Sequence, residues 1–334
     1  MTDNIFYHIN NNISRKNGFF LYSQDSTLAS NSKRVAKRKF CHKMFYSFLF
    51  LGVFSSAAHG VSVIGTGFTW AENAVCGSNG TLWISENVRG ELWKLRWNAA
   101  QGNWTQELHV SKGVKRFAGL AMHRNRLYAA AQLHDDSSCQ IVCVDPSREE
   151  TLTPVAKLPR SCLGDGVAID NATGDIFIAS EGDFLPLNGR VFRVDADSKN
   201  VSVVLSGYYA TDGAYIDQEK GTLYVSQVAL SKMLVIDIKA GKSIASWKAP
   251  SSVDWLDDFF VQDGSLFASS FLNGNVVELN ATTGEMKRNL AEATNPTSVR
   301  SAGSCYPPNA SAIVVTEGGG LLASTINRRV LLIG

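Results

Sequence analysis

A strand, a turn and a second strand recur six times along this chain at nearly constant spacing. The units read AENAVCGSNGTLWISEN from Ala71, FAGLAMHRNRLYAAA from Phe117 and GDGVAIDNATGDIFIAS from Gly164. They continue as TDGAYIDQEKGTLYVSQ from Thr211, LDDFFVQDGSLFASS from Leu256 and PTSVRSAGSCYPPNASAIVVTE from Pro296. Aligned, they place Glu72, Ala118, Asp165, Asp212, Asp257 and Thr297 at equivalent positions, with spacings of 46, 47, 47, 45 and 40 residues. A repeat of 40–50 residues built wholly from strands predicts a β-propeller, one four-stranded sheet per repeat. Third strands follow as GELWKLRW, CQIVCVD, GRVFRVD, KMLVIDI, GNVVELN and RRVLLIG, and fourth strands include VSVVLSG at 201–207 and SIASWKA at 243–249. These segments are rich in β-branched and aromatic residues, with Gly and Asn at their ends. No long stretch combines helical periodicity with caps.

The fold class is therefore all-β, a six-bladed propeller over residues 61–334. The last repeat stops at RRVLLIG with no fourth strand, and VSVIGTG at 61–67 echoes VSVVLSG. The N-terminal segment is expected to complete the last blade, closing the ring and covering an open sheet edge. Six in-phase units argue against an open β-sandwich. Third strands ending in Trp97, Asp145, Asp195, Ile238 and Asn280 lack the signature of tryptophan–aspartate repeats.

Innermost strands line the central channel of a propeller, so residues at their heads form a ring at its mouth. Four of the six here are carboxylates. Such a set repels itself and raises its own pKa values, and a bound divalent cation relieves it. Oxygen ligands favour Ca2+, with Mg2+, Mn2+ or Zn2+ as alternatives. Asp165 taken alone is better explained by turn chemistry at a strand entrance, but that does not explain Glu72. Asp258 reads as a solvated or supporting neighbour of Asp257.

These motifs resemble the senescence marker protein/gluconolactonase/luciferin-regenerating-enzyme family of six-bladed propellers, over residues 61–334. The resemblance implies one divalent cation at the channel mouth, held by Glu72 (WAENAV), Asp212 (TDGAYID) and Asp257 (LDDFFV), and hydrolysis of lactones or related small esters. Asp212 stands where the family carries Asn, which adds a negative charge and favours Ca2+. Gly164 stands where a substrate-pocket Asn is expected, beside the retained Asp165–Gly166 pair. Cys162 stands near the place of a sugar-binding Arg, with Arg160 two residues away.

As a hydrolase, the chain would use the cation to polarise a carbonyl and acidify a bound water. Asp165 or Asp257 would act as general base, Asp165 being the better separated from the implied ligands. His134 in QLHDDSSC and Glu181 in EGDFLPLN lie in equivalent mouth-side loops of blades 2 and 3, and with Asp165 they are the candidate substrate contacts. His109 in an outer strand and His123 in a far-side hairpin are read as structural. The rival reading is a non-catalytic secreted propeller that binds a protein or glycan, its cation structural. A strictosidine-synthase-like condensing propeller is a third, for which no acidic residue is clearly placed.

Charge separates the leader from the body. Residues 1–60 carry eight Lys/Arg and two acids, which leaves 24 basic and 28 acidic residues in 61–334. The acidic body argues against a nucleic-acid partner. Met44–Phe54 is an apolar run of eleven followed by SSAAHG. A basic flank, short apolar core and small-residue exit, here over 44–60, predict a secretory signal and no stable membrane span after its removal. A mitochondrial presequence is the alternative, and Met1 and Met44 are both possible starts. Sequons at Asn79, Asn103, Asn171, Asn200, Asn280 and Asn309 all fall in the body, in keeping with N-glycosylation in the secretory lumen. Five cysteines there (Cys76, Cys139, Cys143, Cys162, Cys305) leave the pairing open, and the absence of CxxC argues against structural zinc. Oligomeric state has no sequence signal.

Overall fold

A computed structural model describes residues 60–135, 138–159, 164–182, 187–318 and 328–334. The leader, Arg160 and Cys162 lie outside the described residues. The rest forms six four-stranded antiparallel sheets. Strand β1 (Val61–Phe68) opens the chain. Blade 1 is β2 (Ala71–Cys76), β3 (Thr81–Glu86), β4 (Glu91–Asn98) and β5 (Asn103–Val110). Blade 2 is β6 (Val114–His123), β7 (Arg126–Leu133), β8 (Cys139–Val144) and β9 (Leu152–Lys157). Blade 3 is β10 (Gly164–Ile169), β11 (Ile176–Ser180), β12 (Gly189–Val194) and β13 (Val201–Tyr208). Blade 4 is β14 (Thr211–Asp217), β15 (Thr222–Gln227), β16 (Lys232–Asp237) and β17 (Lys242–Lys248). Blade 5 is β18 (Leu256–Gln262), β19 (Ser265–Ser270), β20 (Asn275–Asn280) and β21 (Met286–Glu292). Blade 6 is β22 (Pro296–Ser301), β23 (Ile313–Glu317) and β24 (Arg328–Ile333), with β1 paired antiparallel to β24 as its outer strand. The expected closure by the N-terminal strand is thus present.

Apolar patterning follows position in the blade. The second strands β3, β11 and β15 are buried along their whole length, because neighbouring blades cover both faces. The outer strand β13 has no fully buried residue. Six apolar clusters result, each between two adjacent blades. Ile141 and Leu158 of blade 2 meet Ile178 and Phe192 of blade 3, and Leu82 and Ile84 of blade 1 meet Val314 and Leu332 of blade 6. Each such large side chain contributes roughly 1.5–3 kcal/mol by leaving water. The Cys76–Cys305 disulfide joins the same two blades across 229 residues of sequence.

Every inner strand carries an extra residue near its head (β6 carries a second between Val114 and Arg116), and the bulge contains the repeat's equivalent position in each blade. Pairing with the second strand slips between Ala71 and Asn73, Phe117 and Leu120, Gly164 and Val167, Thr211 and Ala214, Leu256 and Phe259, and Pro296 and Ser298. A bulge turns a side chain out of the sheet's alternation, and here it presents Glu72, Asp165, Asp212 and Asp257 at one end of the hub. The glycine after the acid has a separate cause. A Cβ at Gly119 would lie 1.8 Å from the Asp165 carbonyl oxygen, and one at Gly166 would lie 2.3 Å from that of Asp212. Neighbouring bulges touch backbone to backbone, so the Asp-Gly pair combines an outward acid with an inward contact only glycine permits.

Where bulge amides need partners, second-strand hydroxyls supply them. Ser226 accepts from the Gly213 amide and donates to the Asp257 carbonyl of the next blade, both at 2.8 Å. Ser269 and Thr316 make the same bridge to the Thr297 and Glu72 carbonyls at 3.1 Å. Ser226→Ala should therefore leave a buried donor and acceptor unpaired and destabilise the fold by about 1–3 kcal/mol in chemical denaturation. A change within error of zero would mean that the bridge contributes nothing.

Candidate metal centre and active site

The bulges of blades 1, 3, 4 and 5 bring Glu72, Asp165, Asp212 and Asp257 to the mouth, and Glu181, just past the end of β11, joins them. All five are 5–7 % exposed. Single carboxylate oxygens of Asp165, Glu181 and Asp212 lie within 4.8 Å of one another. Asp212 is common to this trio and to the implied set Glu72, Asp212 and Asp257. Among the described residues, the bulges of blades 2 and 6 present no acid: Ala118 joins the apolar layer toward blade 3, and the Thr297 hydroxyl donates to the Ala71 carbonyl at 2.7 Å.

Burial is the main force on every one of these acids. It holds Glu72 well above the usual carboxylate range, reinforced by repulsion from Asp165. Asp212 is held well up by burial and by Asp257, and Asp257 by burial and Glu72. Glu181 is raised by burial and Asp165. Asp165 is pushed by burial to about 6, although the neighbouring Arg116 opposes the rise. Arg116 lies 3.4 Å from Asp165 through Nη2. Burial disfavours its charge, yet attraction from Asp165, Glu181 and Glu72 holds its pKa above the usual value. Further support comes at Glu72, where the Trp70 indole N–H and, at 3.3 Å, the Asn87 amide donate to the carboxylate.

Among the described residues, five buried carboxylates stand beside one guanidinium, and they cannot all be ionised without a further positive charge. An all-oxygen donor set of this kind fits a hard divalent cation. Asp258 adjoins the cluster, and its charge helps raise Asp165 and Asp257. It is 3 % exposed, pairs with Arg300 at 2.5 Å, and accepts from Asn73 and Ser298. It is a supporting neighbour of Asp257 and is not solvated, because Arg300 on the inner strand of the adjacent blade 6 pairs with it.

The mouth-side turn after β7 carries His134, whose backbone amide donates to the Gly113 carbonyl at 3.1 Å while the residue itself is exposed. Glu181, in the equivalent position of blade 3, is buried in the cluster. His109 is buried, with Nε2 2.9 Å from the Asp145 carbonyl and its ring edge-on to Trp83, in keeping with a structural role. At Gly164 a Cβ would lie 2.9 Å from Cys139 Sγ. Cys139 Sγ occupies the room a side chain would need, and a cavity of about 10 Å³ remains beside it against Arg116. Arg116 was not foreseen from sequence. Its signal is a charged pair, Lys115–Arg116, inside an otherwise buried strand.

Comparison with solved structures yields close agreement in fold at low identity. Luciferin-regenerating enzyme superposes with a TM-score of 0.65 at 15 % identity, covering 82 % of this chain and 95 % of its own. Regucalcin from Agrobacterium tumefaciens, described as a calcium-binding protein, gives 0.65 at 16 % identity, covering 81 % and 92 %. A gluconolactonase from Xanthomonas campestris gives 0.62 at 14 % identity, covering 82 % and 88 %. The chain has their six-bladed propeller fold. The resemblance read from its motifs is a resemblance of architecture as well. A family profile described as a repeat of unknown function (DUF6923) matches residues 184–320, less than half of the chain. No curated protein sequence matches it.

Proposed function

We propose that this propeller is a divalent-cation-dependent hydrolase of lactones or related small esters. The observation that carries the proposal is the buried cluster of five carboxylates at the channel mouth, with Asp165 poised near pH 6 beside Arg116. Glu72, Asp212 and Asp257 would hold the cation, Ca2+ before Mg2+, Mn2+ or Zn2+. The tighter convergence of Asp165, Glu181 and Asp212 supports a second ligand set. Loss of cation in Glu181→Gln but not Asp257→Asn would select the second set, and the converse the first. The bound cation supplies Lewis acidity and a more acidic water.

The chain's own residues supply the rest. The Asp165 carboxylate accepts a proton from the attacking water, and a group titrating near 6 is suited to that task at neutral pH. Water oxygen bonds to the carbonyl carbon, the acyl C–O bond breaks, and the proton passes to the departing alkoxide. Arg116 faces negative charge developing on the carbonyl oxygen. If the Asp165–Glu181–Asp212 set holds the cation, Asp257 becomes the separate base. Glu181 otherwise lies with Asp165 against the substrate, and His134 stands on the rim. The buried acidic cluster favours a small-molecule substrate, and the net-acidic body argues against nucleic acid.

We place the protein in the secretory lumen or outside the cell, ahead of the mitochondrial alternative. Four sequon asparagines are exposed (Asn79, Asn103, Asn171, Asn200), and Asn280 and Asn309 are half-exposed. The Cys76–Cys305 disulfide suits an oxidising compartment. No helix among the described residues is long and apolar enough to cross a membrane.

A panel of lactones and esters with added Ca2+, Mg2+, Mn2+ or Zn2+ tests the activity. Turnover that vanishes with chelator and falls at least a hundredfold in Asp165→Asn is expected under the first ligand set. Cation retention without turnover on any member would favour the binding module, with a protein or glycan as partner.

A further inference from the structure

We propose that Trp70, Phe271 and Trp255 form an aromatic shelf beside the acidic cluster, and that the substrate carries a flat aromatic ring which stacks on it. The inference rests on the hydrolase reading and narrows its substrate to aryl-bearing lactones or esters. Trp70 precedes the head of β2, Trp255 precedes the head of β18, and Phe271 follows β19, so all three stand at the mouth end of their strands. Phe271 stacks with both tryptophans, its ring centroid 5.9 Å from each at interplanar angles of 27° and 22°. Phe271 is buried, whereas both tryptophans remain half-buried. The shelf is joined to the site itself, because the Trp70 indole donates to the Glu72 carboxylate.

Packing on blade 6 holds the Trp70 ring in place, whereas the turn at Trp255 does not require an aromatic. A Cβ at Gly318, at the end of β23, would lie 2.7 Å from the Trp70 ring. Blade 6 gives up a side chain where the indole lies across it. Trp255 holds a left-handed backbone at φ 55°, as do Ala210 and Asn295 immediately before the inner strands of blades 4 and 6. That turn is thus met by alanine or asparagine elsewhere in the ring. A bulky aromatic is disfavoured in this conformation, so the tryptophan is placed there for its ring. An extended aromatic surface next to polar groups is suited to one ligand bearing both an apolar plane and a reactive carbonyl.

The test uses Trp255→Asn, which keeps a residue the turn accepts, and Trp255→Phe. Wild type should prefer γ-phenyl-γ-butyrolactone to γ-butyrolactone. In Trp255→Asn the KM for the phenyl lactone should rise about tenfold, with the KM for the plain lactone and both kcat values within twofold. Trp255→Phe should recover most of the loss. Equal effects on both lactones, or none, would overturn the shelf. If neither lactone is hydrolysed, the hydrolase reading fails by itself, and binding of the phenyl lactone followed by tryptophan fluorescence decides the shelf. About tenfold weaker binding in Trp255→Asn supports it, and absent or unchanged binding overturns it.

Discussion

Stripped of divalent cations, the protein will lose thermal stability as the pH rises from 5 to 8, and millimolar Ca2+ will restore it at pH 8 far more than at pH 5. The sign follows from the direction of the shifts. Glu72, Glu181, Asp212 and Asp257 are held well above the ordinary carboxylate range, and Asp165 is pushed to about 6. Their contribution is fully present below the unfolded-state values near 4 and is lost as the pH climbs through the folded-state values. For Asp165, raised from 3.8 to about 6, the whole loss is roughly 3 kcal/mol, of which about 1.4 kcal/mol falls above pH 5. The other four extend the decline to higher pH. A cation present at a hundred times its Kd would return about 2.7 kcal/mol, and protons displace it at low pH. Thermal melts of chelated protein across this range are the check. A melting temperature that is flat or rising with pH, and indifferent to the cation, would contradict the electrostatic account of the cluster.

Gly166→Ala should be among the most damaging single-methyl changes in the chain. Its Cβ would sit 2.3 Å from the Asp212 carbonyl oxygen and 2.4 Å from the Ala214 amide nitrogen, both backbone atoms that cannot turn aside. The blades must separate at the hub or the bulge of blade 4 must move, and Asp212 moves with it. Overpacking of this kind costs about 1–3 kcal/mol or more, and cation affinity should fall with stability. Gly207→Ala is the control, since nothing lies within 4 Å of a Cβ there, although its positive φ adds modest backbone strain. If Gly166→Ala is no more destabilised than Gly207→Ala, the close-contact explanation of the Asp-Gly pair is wrong.

Much of the fold is legible in the sequence because propeller blades repeat a simple physical unit. The turn-bounded strands, their spacing and the echo between 61–67 and 201–207 are enough to place β1 as the outer strand of the last blade. The acids are legible for the same reason: a periodic position on the inner strand becomes a ring. Other features depend on neighbours that a linear reading does not supply. Arg116 lies two residues ahead of its blade's ring position, and only the approach of blade 3 brings Asp165 to its guanidinium. Cys76 and Cys305 become partners only once blades 1 and 6 are adjacent. Asp258 looks like a solvated acid until Arg300 of the adjacent blade pairs with it. The room at Gly164 is set by Cys139 from another blade. Trp70, Phe271 and Trp255 are scattered in sequence and meet over blade 6.

Metal content tests the central claim most directly, because Asp212 belongs to both candidate ligand sets. Purified wild-type protein, dialysed against buffer with trace Ca2+, Mg2+, Mn2+ and Zn2+, should retain about one divalent ion per chain. Folded Asp212→Ala protein, its fold verified by circular dichroism, should retain essentially none. Full retention in Asp212→Ala, or an ion-free wild type that melts at the same temperature with and without added cation, would contradict a cation site at the propeller's mouth.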